Sequence, residues 1–129
     1  MAQSMNSTVD LTIKATSFHS MGVYGEIMIG NNAIEFYSDR NPEDYIQIPW
    51  TEVDSVAAEV LFGKIIPRFA VITKASGNFP FSTRDNKLTL RTIQKYVPAE
   101  RMVKSISFFG VIGHGLHRVW LVITGRGNQ

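Results

Sequence analysis

Apolar and polar residues alternate along most of this chain and then give way, beyond Ser82, to apolar spacings of three and four. Alternation is the signature of half-buried strands and the longer spacing that of an amphipathic helix. Val9–Lys14 predicts a first strand, and Ala15–Val23, with its Ser, His and Gly, a loop. Tyr24–Ile29 and Ala33–Tyr37 flank Gly30, Asn31 and Asn32, residues that tolerate positive φ, so the two segments predict a hairpin. Ser38–Asp44 is a polar turn in which Pro42 fixes one torsion. The block Tyr45–Val56 alternates again, broken only by the Pro49–Trp50 step, and predicts strands near Tyr45–Ile48 and Val53–Phe62. Pro49 has no amide hydrogen and belongs at a strand end or bulge, and Trp50 is expected to cover the edge of the core. Phe62–Pro67 is read as a connection, Arg68–Lys74 as a strand, Ala75–Asn78 as a turn and Phe79–Ser82 as a strand.

In the helical stretch Leu88, Leu90, Ile93, Tyr96 and Val97 recur at helical spacing, Thr83 or Asp85 can cap the start, and Pro98 stops the helix at Val97. A second short helical piece is expected over Ala99–Ile106, with Pro98 at its entry. The order of elements predicts a mainly β fold: a pleckstrin-homology-like barrel of about seven antiparallel strands capped by a C-terminal helix. Leu88, Ile93, Tyr96 and Val97 would form the plug's buried stripe. A lipocalin-like barrel fits less well, because too few strands precede the helix. Residues 9–106 would form this domain and residues 107–129 a basic, aromatic tail.

Composition narrows the classes. At 129 residues, 44% hydrophobic and 19% charged, the chain can build a single core and is not broadly disordered. It has no cysteine, which excludes disulfides, thiolate zinc sites and cysteine nucleophiles and is compatible with a reducing cytosol. Met1–Asp10 lacks the features of a signal peptide, and no apolar run approaches the roughly 18 residues of a spanning helix, so a soluble or peripheral protein is expected. The net charge of +2 is unevenly spread: no acid follows Glu100, while Arg101, Lys104, Arg118 and Arg126 do. That pattern is the mark either of a tail that meets an anionic surface or of ordinary solubilising charge.

Candidate chemistry is sparse. His114 and His117 would share one helical face, yet no acid lies near them in sequence. His19 lies beside Ser17 and Ser20 without a nucleophile motif. Gly110, Gly113 and Gly115 do not follow the dinucleotide or phosphate-loop spacing. Asp39, Glu43 and Asp44 do not follow calcium-loop spacing. No catalytic residue, metal or cofactor is therefore expected. Nucleic-acid binding is disfavoured by the acidic body and the absence of a basic stripe with interleaved aromatics. The loop Ala15–Val23 offers only His19, which argues against a phosphoinositide ligand.

If Ser105–Thr124 is helical, Phe108, Phe109, Ile112, Leu116, Val119, Trp120 and Ile123 fall on one face. Such a helix could lie in a membrane interface, with Trp120 at headgroup level and Arg118 snorkelling. Its glycines would each cost about 1 kcal/mol relative to Ala. Val119–Thr124 is equally readable as a final strand, and the stripe could instead pack on the barrel.

Asp39–Asn41, Tyr45–Asp54, Ile66–Ala70 and Tyr96–Pro98, together with Arg101–Ser105 and Phe108–Phe109, resemble the ManO family. These are small proteins of Gram-positive bacteria, usually encoded beside mannose-class phosphotransferase-system transporters and grouped with pleckstrin-homology-like folds. The resemblance runs from about Val9 to Ile112. It implies a cytoplasmic, non-enzymatic accessory or regulatory protein that binds subunits of a mannose/glucose-family transporter and reaches the inner membrane surface. Family tails are expected to be more plainly basic than Gly113–Ile123. Four dispersed cations, at about 1 kcal/mol each near an anionic leaflet, would attach only weakly without insertion of the aromatic face. The residues expected to meet a partner or membrane are Arg40, Lys64, Arg68, Arg101, Lys104, Phe108, Phe109, Arg118 and Trp120. Two other functions compete: a transcriptional regulator of the mannose operon, and a sensor of a sugar or sugar phosphate in a cleft near Trp50 or Trp120.

Overall fold

The computed structural model describes residues 3–19, 22–41 and 43–105. In chain order the elements are β1 (Val9–Ser17), β2 (Val23–Gly30), β3 (Ala33–Ser38), β4 (Tyr45–Pro49), β5 (Val53–Leu61), β6 (Ile65–Thr73), β7 (Asn78–Thr83), α1 (Asn86–Ile93) and β8 (Met102–Ser105). Single 3-10 turns at Trp50–Glu52 and Ala99–Arg101 introduce β5 and β8. The strands form one sheet in the order β4-β3-β2-β1-β7-β6-β5-β8.

The expected fold is right in its class and wrong in three particulars. Among the described residues eight strands are present rather than seven, and the sheet is mixed, because β8 runs parallel to β5 with Val56 opposite Met102 and Glu59 opposite Ser105. The sheet is also not closed into a barrel: β4 and β8 are its two ends. The helix expected over Ala99–Ile106 is only the turn Ala99–Arg101 followed by β8. The open edge of β5 supplies hydrogen-bond partners that a short isolated helix lacks, so Met102–Ser105 extend instead. β1 is longer than predicted and takes in Ala15, Thr16 and Ser17, which pair with Thr83, Ser82 and Phe81 and join the two halves of the sheet.

Inward-facing residues at alternate positions make the core: Ile27 and Ile29, Ile34 and Phe36, Ile48, Val56, Phe69 and Val71, and Phe81. The helix seals it with Leu90 and Ile93, and Val97 follows. Leu88, expected in this stripe, is an exposed residue, and Tyr96 packs against the margin. Asp85 is the cap, accepting from the Leu88 N–H at 3.1 Å. Pro49 ends β4, as its missing amide requires. Gly25 is demanded by packing, because a Cβ there would lie 2.1 Å from the Tyr37 carbonyl oxygen.

Two buried carboxylates lie on the other face. Glu35, between the core residues Ile34 and Phe36, is 1% exposed because residues before β1 fold over it. The Ser4 hydroxyl donates to it at 2.6 Å, the Met5 N–H at 2.6 Å and the Asn6 amide at 3.3 Å. Asn6 Oδ1 in turn accepts from the Asn32 and Ala33 N–H groups, each at 2.8 Å, and Asn31 Oδ1 from those of Ser7 and Thr8. Glu59 is equally buried, and Arg68, directly opposite on β6, grips it through Nε at 2.8 Å and a terminal nitrogen at 3.2 Å.

Candidate functional site

Between α1 and the β5–β8 edge lies a groove of about 390 Å³. Val56, Ala58 and Val60 of β5 with Ile66 of β6 form its floor, and Leu90 and Met102 its apolar sides. Lys87, Arg91 and Gln94 approach from the helix and Lys104 from β8. The geometry follows from local periodicities. Lys87 and Arg91 are four apart and share a helical face, while Met102 and Lys104 are two apart and share a face of the strand. No carboxylate occurs among the described residues that line the groove, and within the described residues none of its three cations has an ion-pair partner. An apolar floor with an uncompensated cationic rim favours an anionic partner that also brings apolar surface.

The hairpin that supplies Val60 and Ile66 carries a second feature at its tip. The Lys64 N–H closes the turn on the Leu61 carbonyl at 3.1 Å, and both central residues have positive φ, 54° at Phe62 and 73° at Gly63. Primed hairpin turns of this kind ordinarily place Asn, Asp or Gly at the first of these positions. A bulky side chain there costs on the order of 1 kcal/mol or more. Phe62 is nonetheless present, 88% exposed, with Ile65 also exposed and Lys64 between them. The strained residue thus holds an aromatic ring out in water beside a cation.

The residues expected to meet a partner are distributed as follows. Lys104 lines the groove, and Lys64 stands at the tip of the hairpin that floors it. Arg68 is on the opposite face of the sheet, bound to Glu59. Arg101 reaches the Val53 carbonyl at 3.4 Å, and Arg40 is exposed in the β3–β4 connection, away from the groove. Phe108, Phe109, Arg118 and Trp120 lie outside the described residues, as do His114 and His117. Lys87 and Arg91 were not singled out from sequence; a same-face pair of cations beside Leu90 was the available signal. Trp50 has a packing role, its ring stacked on Tyr96 at 5.1 Å and its Nε1–H donating to the Gly30 carbonyl at 2.9 Å. Among the described residues no group of three or more His, Cys, Asp or Glu is placed to hold a metal ion, and no helix is long and apolar enough to cross a membrane.

Fold and groove together define a small mixed β-sheet scaffold that, among the described residues, carries one sealing helix and a groove with an apolar floor and a cationic rim. The chain belongs to the family described as a domain of unknown function, DUF956, which matches residues 1–116. Comparison with curated proteins gives no match. Among solved structures it is similar to the crystal structure of the C-terminal domain of an unknown protein from Leishmania infantum. The TM-score is 0.61 at 11% identity, over 69% of this chain and 83% of that one. At that identity the likeness is one of fold.

Proposed function

We propose that this chain is a non-enzymatic accessory protein of a mannose/glucose-family phosphotransferase-system transporter. In this reading it works at the cytoplasmic face of the membrane and docks an acidic, partly apolar surface of a transporter subunit in the α1–β5–β8 groove. The observation that carries the proposal is the cationic rim of Lys87, Arg91 and Lys104 around an apolar floor with no lining carboxylate. The tie to the transporter rests on the ManO-like segments Tyr45–Asp54 and Arg101–Ser105. A pleckstrin-homology-like scaffold is supported by the run β4-β3-β2-β1-β7-β6-β5 followed by a helix, with β8 as an addition to the β5 edge.

The test is co-purification of the full chain with the transporter's membrane subunits, wild type against K87E/R91E/K104E. Enrichment with the wild type and its loss in the charge-reversed variant is the expected result. Equal recovery of both overturns the groove as the docking site. Retention of the wild type by vesicles of anionic lipid in the absence of any subunit would assign the groove to the membrane surface instead.

A further inference from the structure

The opposite edge of the sheet carries a second, oppositely charged slot. It is a cleft of about 380 Å³ between β4 and the β6–β7 turn, where the sheet ends without closing. Val23, Phe36, Ile46 and Ile48 give it an apolar part, and Ser17, Thr73 and Ser76 also line it. Phe79 forms the other wall, with the His19 ring stacked on it at 4.4 Å. Asp44 stands just before β4 and Glu52 just after it, both exposed, and no lysine or arginine occurs among the described lining residues. Glu52 is held in place because its carbonyl accepts from the Lys74 N–H at 3.0 Å.

The backbone of β4 is as informative as its side chains. At the two ends of the β3–β4 ladder the Ser38 N–H donates to the Asp44 carbonyl and the Trp50 N–H to the Asn32 carbonyl. In an antiparallel pair hydrogen-bonded positions alternate, so Ile46 bonds inward to Phe36 and Ile48 to Ile34 of β3. Tyr45 and Gln47 therefore turn their N–H and C=O groups to the open edge, where no described strand pairs with them. Pro49 has no N–H and ends the usable edge, which limits any added strand to a short one.

We infer that the β4 edge is a binding site for a short, extended, positively charged peptide segment of a partner. The segment adds a strand beside Tyr45–Gln47, turns alternate apolar side chains into the slot, and meets Asp44 and Glu52 with basic residues. Main-chain hydrogen bonds supply affinity in this mode and pockets and end charges supply specificity. A cationic segment is selected because both ends of the edge carry carboxylates and the lining residues offer no compensating lysine or arginine. This site is separate from the basic groove and does not depend on the function proposed for it.

The probe is a labelled peptide of alternating valine and threonine with lysine at both ends, titrated against the full chain by fluorescence polarisation. Saturable binding is expected, with slowed amide exchange at Tyr45 and Gln47. D44N/E52Q should weaken it about fivefold, the scale of losing exposed ion pairs, with no change in Tm. N-methylation of the peptide amides that face β4 should abolish it. Equal binding of a glutamate-ended peptide, indifference to N-methylation, or exchange at Tyr45 and Gln47 that the peptide leaves unchanged each overturns the inference. Protection of those amides in the free chain that rises with protein concentration would assign the edge to a second copy and also overturn it. Should D44N/E52Q lower the Tm, the N-methylated peptide on the wild-type chain decides alone.

Discussion

Arg68 faces Glu59 across β5 and β6, and a cation between Pro67 and Phe69 has its explanation in that carboxylate. Glu59 is 1% exposed, so removing the guanidinium strands a buried charge. Arg68→Ala should lower stability by about 3–5 kcal/mol in urea unfolding, whereas Arg68→Met with Glu59→Leu should recover most of the loss. A second pair joins the start of β1 to the segment after α1: the Tyr96 hydroxyl donates to Asp10, and Lys95 lies 3.1 Å from the same carboxylate. The Tyr96 hydrogen bond, with help from Lys95, lowers the pKa of Asp10, and Asp10 raises that of Tyr96. A lowered carboxyl pKa stabilises the fold above the unfolded value of about 3.9 and is lost as pH falls through the folded one. A raised phenol pKa stabilises below about 10 and is lost as pH rises through the folded value. Absorbance titration should show the Tyr96 phenolate forming later than in the unfolded chain, and Asp10→Asn should bring it earlier and blunt the acid transition. Neither pair was legible in sequence, since their members are brought together by strand register and by the helix's return to β1.

At the scale of elements, the sequence was most legible where a period is long and its ends are chemically marked. The β2–β3 hairpin and β4 ending at Pro49 are as predicted, and Asp85 is the one of the two expected caps, Thr83 or Asp85, that starts the helix. The residues before β1 were less legible. Asn6 caps the Asn32 and Ala33 N–H groups and also donates to Glu35, and the Ala33 residue is fully buried. Asn6→Ala should therefore cost about 2 kcal/mol by thermal or urea unfolding, more than an exposed polar residue normally does. A polar N-terminal run has no periodicity of its own, so its role emerges only with the sheet it covers. The β5–β6 hairpin adds a test of opposite sign. Phe62→Gly should raise stability by about 1 kcal/mol, because glycine removes the positive-φ penalty. If the exposed ring serves docking, the same substitution should weaken partner binding.

Over the whole molecule, a basic apolar groove at the helix side and an acid-ended slot at the β4 edge give the sheet two unlike margins. K87E/R91E/K104E alters three exposed cations without an ion-pair partner among the described residues, so the Tm should shift little while groove binding is lost. Wild-type binding at the groove should weaken as salt is raised from about 0.01 to 0.15 M, where the screening length falls from about 30 to 8 Å.

Sequence alone determined the mainly β class, most strand positions, the sealing helix and the structural role of Trp50, because each depends on local periodicity or on one residue's stereochemistry. Tertiary structure decided the rest. The parallel β8 forms because β5 offers an edge to pair with, and the sheet ends at β4 and β8 without closing into a barrel. The groove exists because Lys87, Arg91 and Lys104, on different elements, converge on an apolar floor. Charges and edges distant in sequence become sites only when long-range register places them side by side.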